Sequence, residues 1–169
     1  MALPKTLKAF NLFGDGNDWM GEVESLTLPE LSRKMEEYRG AGMLGPVEID
    51  MGGQLLVFEW TVAGYIREIF TDFGGSIHDA RLLRFTGSYE SDETGEVQAI
   101  EVVMRGRHKT IGMDEMSAGE FSKISVTTTC TYYKLTINGE EVIEIDQPGM
   151  VYRVFGKDMY AERRKALGL

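Results

Sequence analysis

The chain of 169 residues contains one cysteine, Cys130, which excludes an intramolecular disulfide framework and any cysteine-built zinc cluster. No apolar run approaches the roughly 20 residues that a membrane-spanning helix needs. No apolar core follows Met1-Ala2-Leu3-Pro4-Lys5 of the kind that a signal peptide carries. Basic residues are outnumbered, 18 against 27 acidic ones, so the net charge is 18 − 27 = −9. That balance argues against a dedicated nucleic-acid binder, which carries a basic face. Residues 1–84 hold 8 basic and 13 acidic side chains and residues 85–169 hold 10 and 14, so there is neither an acidic tail nor a basic arm. The expectation is a soluble, acidic, cytoplasmically made protein, read as one domain over 1–169.

Proline is scarce too, with four in the chain, but glycine is abundant at 20. Groups such as Gly14-Asp15-Gly16, Gly40-Ala41-Gly42, Gly52-Gly53 and Gly74-Gly75 punctuate short apolar runs. Frequent turns of this kind point to a mainly β fold. Val97 to Arg105 alternates, with Ile100, Val102 and Met104 on one face. Ser122 to Ile137 is a long β-branched and aromatic run in which Ile124, Val126, Thr128, Cys130 and Tyr132 share a face. Apolar parity then changes to Tyr133, Leu135 and Ile137, which suggests a bulge or a strand buried on both faces. Asn138-Gly139 is a strong type I′ hairpin signal, and Glu141 to Asp146 is the expected return strand.

Helical spacing occurs twice. Ile66, Ile69, Phe70 and Phe73 form one stripe, with Gly74 placed as a left-handed cap, giving a helix within 64–74. A second helix is expected from about Lys157 to Ala166, acidic early and basic late, within a C-terminal segment 157–169. Residues 31–38 are ambiguous. Leu31, Met35 and Tyr38 fit a short helix, and an extended edge strand is the competing reading.

The search for chemistry yields no active site. Asp15-Gly16-Asn17-Asp18 begins like a calcium loop, but Met20 stands at its sixth position and Leu26 at its twelfth, where glycine and glutamate belong. His78 and His108 are the only histidines, and neither has a triad or ligand set assembled around it. Both are read as surface or packing residues, and Cys130 as a small buried hydrophobe. Arg105-Gly106-Arg107-His108-Lys109, taken as lying at a strand end, is read as a solvated loop or partner contact. No phosphate-binding glycine loop occurs, so no catalytic residue, cofactor or metal is expected.

Two segments suggest assembly. Arg39 to Pro46 is a flexible, partly apolar loop, and Leu3, Leu7, Phe10, Leu12 and Phe13 make an apolar N-terminal arm within 1–20. Such an arm either contacts another chain or is a strand tucked into its own core.

Longer stretches carry a resemblance. Leu3-Pro4-Lys5 through Asn11-Leu12-Phe13 and Asp15-Gly16, and then Gly21-Glu22-Val23-Glu24-Ser25-Leu26-Thr27-Leu28-Pro29, resemble the start of major tail tube proteins of contractile-tailed bacteriophages. So do Arg33 to Met43, Gly45 to Asp50, Arg105-Gly106-Arg107, Cys130 to Leu135, Asn138-Gly139-Glu140, Ile143 to Asp146 and Arg163 to Leu169. The family includes the inner tube protein of R-type, pyocin-like bacteriocins. The resemblance implies a two-sheet β-sandwich or barrel-like fold with a flanking helix and an extended hairpin over 30–50. It implies hexameric rings stacked into a tube inside a contractile sheath. Neighbouring strands would join there into one barrel around an acidic channel, through which DNA passes unbound in a phage. Sheath, baseplate and tape-measure proteins are the implied partners, and the virion tail or a bacteriocin particle the implied location. The contact residues expected between subunits are Leu3, Leu7, Phe10, Phe13, Tyr38, Arg39, Gly40, Gly42, Met43, Gly45, Pro46, Arg163, Arg164 and Leu169. A monomeric binding module that uses loop 40–46 remains the alternative, and self-association discriminates the two.

Overall fold

The computed structural model describes residues 2–71 and 73–169. Position 1, in the expected arm, and position 72, in the expected helix span, lie outside the described residues. The strands run in the order β1 (Thr6–Gly14), β2 (Asn17–Asp18), β3 (Val23–Thr27), β4 (Arg33–Tyr38), β5 (Val47–Gly53) and β6 (Leu56–Ala63). Helix α1 (Arg67–Thr71) follows, and then β7 (Arg81–Glu90), β8 (Val97–Met113), β9 (Lys123–Ile137) and β10 (Glu140–Asp146). The chain closes with β11 (Val151–Val154), β12 (Lys157–Asp158) and α2 (Ala161–Ala166). The fold is mainly β, with α2 as a flanking helix.

Ten strands form one sheet in the order β12-β11-β10-β9-β8-β7-β1-β2, with β6 and then β3 branching from β9. The branch follows from a bulge. Arg105 faces Tyr132 while its neighbour Gly106 faces Cys130, so Thr131 is the extra residue in β9. Up to Cys130 β9 pairs with β6, and from Tyr132 it pairs with β10. The same bulge moves the buried set from Ile124, Val126, Thr128 and Cys130 to Tyr133, which is the parity change visible in the sequence. Gly106 is required there, because a Cβ at this position would lie 2.2 Å from the Thr129 carbonyl oxygen. A second bulge, at Lys109, lies between the His108–Thr128 and Thr110–Thr127 pairs.

Both halves of the sheet bury their inner faces in one cluster. Leu83, Phe85, Val102 and Met104 come from one half, and Phe58, Trp60, Val62, Ile124 and Val126 from the other. Trp19 stacks on Trp60 at 5.2 Å between ring centres, closing the core beneath the β1–β2 turn. Asn138 (φ 48°) and Gly139 (φ 79°) make the expected left-handed turn between β9 and β10.

The structure decides two open alternatives and changes several expectations. Of the two readings of the N-terminal stretch the second holds, since β1 pairs with β7 from Thr6 to Gly14 as a strand of the chain's own sheet. Helix α1 is short, with Ile66 and Ile69 buried but Phe70 and Phe73 turned outward. Lys157 and Asp158 form β12 rather than helix, so the C-terminal helix begins only at Ala161. The cause is a second left-handed turn, Phe155 (φ 48°) and Gly156 (φ 78°), which folds β12 back on β11. The basic run 105–109 lies within β8 rather than at its end, with Gly106 and His108 turned inward. Residues 33–38, open between helix and edge strand on local pattern, are strand β4 of the hairpin that the resemblance implies over 30–50.

Candidate functional site

Among the described residues β4 and β5 pair only with each other, as a separate two-stranded sheet. Their pairing runs from Arg33–Gly53 at the base to Tyr38–Val47 near the tip. An isolated two-stranded hairpin is marginal in water, and this one also exposes apolar side chains. Met35, Tyr38, Val47, Ile49 and Met51 are all exposed, and Leu44 at the tip is 101% exposed. Gly42 (φ 84°) shapes the tip, and the Gly40 and Met43 backbones close on each other through Met43 N–H donating to the Gly40 carbonyl at 3.2 Å. Exposed apolar side chains on an unsupported hairpin are a surface of the kind that contacts between chains use.

The base is held by one guanidinium. Arg33 Nε donates to Asp50 Oδ2 at 2.7 Å, and Nη2 donates to the Tyr160 hydroxyl at 2.7 Å. The guanidinium carbon lies 5.3 Å from the Tyr152 ring centre and 5.8 Å from that of Tyr160. The hydrogen bond from Arg33, helped by the Gly52 N–H, holds the Asp50 carboxyl below the usual carboxylate range. Beside this clamp lies an apolar cavity of about 140 Å³, walled by Leu31, Leu56, Ile143, Ile145, Met150 and Tyr152 among others.

A second assembly feature is a pair of open sheet edges. Among the described residues β3 pairs only with β6, which leaves its other edge open. β7 covers β8 only as far as Gly106, leaving Arg107 to Met113 paired on the β9 side alone. Between these edges lie four strands, β3-β6-β9-β8, each antiparallel to the next. The other ends of the sheet, β2 and β12, are two residues long, which blunts them as templates.

The expected contact residues fall in three places. Tyr38, Arg39, Gly40, Gly42, Met43, Gly45 and Pro46 sit at the hairpin tip and its flanks. In the N-terminal segment, Leu3 ahead of β1 and Leu7 within it are exposed, but Phe10 packs on Phe85 at 6.2 Å and Phe13 lies under Arg84 at 4.4 Å. At the C-terminus, Arg163 stacks on Tyr160 at 4.3 Å while Leu169 is exposed. Arg164 is engaged inside the chain, with Asp158 and with the Met150 carbonyl at 2.8 Å. Sequence reasoning missed Arg33, Tyr152 and Tyr160, which share no periodicity and meet only in the fold. The open edges were equally hidden, because edge status depends on which partner a strand lacks.

The two histidines separate. His78 is exposed, with Nδ1 at 3.0 Å from the Thr131 hydroxyl. His108 is buried at 3% exposure, with Nδ1 at 2.9 Å from Thr128 Oγ1. Trp60 Nε1–H also donates to Thr128 Oγ1, at 3.3 Å. Nε2 of the same ring is buried and, among the described residues, has no hydrogen-bond partner. Burial pulls His108 down to about 4 and pushes the Cys130 thiol up to about 12. Cys130, at 2% exposure, is the packing residue expected. Among the described residues, no three His, Cys, Asp or Glu side chains form a metal-holding group.

Open strand edges and an exposed apolar hairpin on a mainly β chain are features of the class of structural, self-assembling proteins. The chain belongs to the phage tail tube protein FII family, whose model matches residues 4–168. It is 41% identical to the tail tube protein of Escherichia phage P2 over 172 residues, covering 100% of both chains. It is 38% identical to the major tail tube protein of Serratia phage KSP20, covering 100% of this chain and 99% of that one. Its fold is similar to a chain of the sheath/tube terminator of the PVC extracellular contractile injection system, with a TM-score of 0.61 at 9% identity, over 79% of this chain and 97% of that one. It also resembles a chain of the PVC sheath–tube complex, with a TM-score of 0.57 at 9% identity over 75% and 87%. The protein is therefore a structural tail tube protein and not an enzyme, and the monomeric binding-module alternative falls away.

Proposed function

We propose that copies of this chain form hexameric rings that stack into the inner tube of a contractile tail. The observation that carries this reading is the pair of open edges on either side of β3-β6-β9-β8. Four is an even number of alternating strands, so β3 of one copy meets Arg107–Met113 of the next antiparallel, and the alternation continues around a ring. Closure removes both edges, which is the stable outcome for an otherwise exposed ladder. Stacking is heterologous, head to tail, so rings add without limit. The hairpin tip from Tyr38 to Pro46 lies on a neighbouring copy, and Leu3, Leu7, Arg163 and Leu169 contribute further contacts.

A charge of −9 per subunit gives the tube a negative field. That field repels a polyanion in transit and supports a channel that passes DNA without specific binding. The tube sits inside a sheath, rests on a baseplate and encloses a tape-measure protein. It is made in the host cytoplasm and serves in a phage tail or, without DNA, in a membrane-puncturing bacteriocin particle. Negative-stain microscopy with sedimentation over a concentration series tests the proposal. Six-fold rings or hollow rods are expected, and closed dimers or sheet-like aggregates would contradict it.

A further inference from the structure

The core is underfilled where the hairpin leaves the body. Leu56, at the start of β6, belongs to the buried cluster, whereas Ile143 and Ile145 on β10 pack against that cluster only half-buried. The register places Tyr152 of β11 beside Ile145. The hairpin base faces these residues with Leu31, Arg33 and Gly53, and the cavity of about 140 Å³ is lined from both sides. Gly53 brings no side chain to fill it. Among the described residues no strand pairing joins the hairpin to the body, but two hydrogen bonds between lining residues do. Arg33 Nη2 donates to the Tyr160 hydroxyl at 2.7 Å, and Gln147 Nε2 donates to the Gln54 carbonyl at 3.3 Å.

We propose that this cavity is a binding site for a small, uncharged, single-ring aromatic molecule, and that its occupant fastens the hairpin to the body. Engineered apolar cavities of about 150 Å³ stay dry and take up benzene, so the volume suits one six-membered ring and excludes two fused ones. The walls select the class. Leu31, Leu56, Ile143 and Ile145 offer no hydrogen bond, so burial against them selects an apolar ligand. Of the two charged lining residues, Arg33 repels a cation and Asp146 repels an anion. The Arg33 guanidinium carbon already lies 5.3 Å from the Tyr152 ring centre and 5.8 Å from that of Tyr160. An aromatic ligand adds a further π face to this group, which a saturated ring does not. Coupling to the hairpin follows because the walls belong to two separate elements. A ligand held between Leu31 and Ile145 is lost when the hairpin base swings away, so binding opposes that motion.

The test uses the full chain with benzene as the probe and naphthalene as the oversized control, read by hydrogen exchange with mass spectrometry. At ten times its Kd, benzene suppresses an opening that empties the cavity about tenfold. Exchange in residues 31–35 and 50–54 at the hairpin base is therefore expected to slow about tenfold, with β7 and β8 unchanged and naphthalene without effect. Leu31→Phe and Ile145→Phe each fill the cavity and are expected to abolish the response to benzene. Leu31 is 42% exposed, so its replacement spares the buried cluster. No slowing by benzene up to its solubility would overturn the proposal. So would slowing spread over the whole chain, an equal effect of naphthalene, or an undiminished response in either folded variant. Failure of the chain to form rings or tubes would leave this site standing, because no second copy contributes to it.

Discussion

At the residue scale, His108 shows how an apolar interior makes a single group matter. In the folded chain it titrates at about 4, against 6.5 for an unburied histidine. Between these values the unfolded chain holds a proton that the native chain does not, so stability rises with pH across the window. This stability is fully present above 6.5 and is lost as pH falls toward about 4, the loss by then amounting to roughly 3 kcal/mol. Denaturant midpoints measured across that window should therefore fall with acidification. The fall should be shallower in His108→Gln, whose side chain gains no charge, and identical slopes would refute the assignment. His78, being exposed, is expected to leave the slope unchanged on replacement. The sequence marked His108 only as lacking catalytic company. Its burial depends on the two bulges that bring Thr128 opposite it, and a lone histidine in a polar run does not announce that.

At the element scale, the hairpin of β4 and β5 depends on its base. Arg33 joins it to Asp50 on the hairpin and to Tyr152 and Tyr160 on the C-terminal segment. With the Arg33 side chain 27% exposed, solvent screening leaves this set of contacts worth roughly 1–2 kcal/mol. Arg33→Ala should speed hydrogen exchange across β4 and β5 about tenfold while leaving β8 and β9 unaffected. Unchanged exchange in the hairpin would show that the clamp does not hold it. The strands with the strongest local signals were legible in advance. Alternation in 97–105 and the Asn138-Gly139 turn reappear in the fold, because each is decided by neighbours in sequence, whereas the parity change expected after Tyr132 falls at Thr131, so that Tyr132 leaves the face of Cys130. The 31–38 segment was not, since Leu31, Met35 and Tyr38 satisfy a helical period while the partner that makes them a strand lies across a loop. The C-terminal helix was placed too early for a related reason. Phe155 takes a left-handed turn conformation that a bulky residue rarely adopts, so no residue-type signal announced β12.

At the scale of the whole molecule, sequence likeness carried what local pattern could not. Composition excluded disulfide scaffolds and basic nucleic-acid binders, and resemblance over nearly the full chain supplied the family that the comparisons bear out. What neither could give was the geometry of joining. That geometry rests on which edges are open and which are blunted, a property of the completed sheet. The same distinction separates an acidic protein from an acidic channel, because net charge says nothing about which carboxylates face inward. The most direct measurement is oxidative cross-linking of assembled protein carrying Ser25→Cys together with Thr110→Cys, with Thr27→Cys and Gly112→Cys to cover a shift of register. If β3 of one copy lies against the end of β8 in the next, at least one pair gives a ladder of covalent oligomers ending at a closed hexamer. Tubes that form normally yet give no intersubunit disulfide from any of these pairs would contradict the edge-to-edge ring.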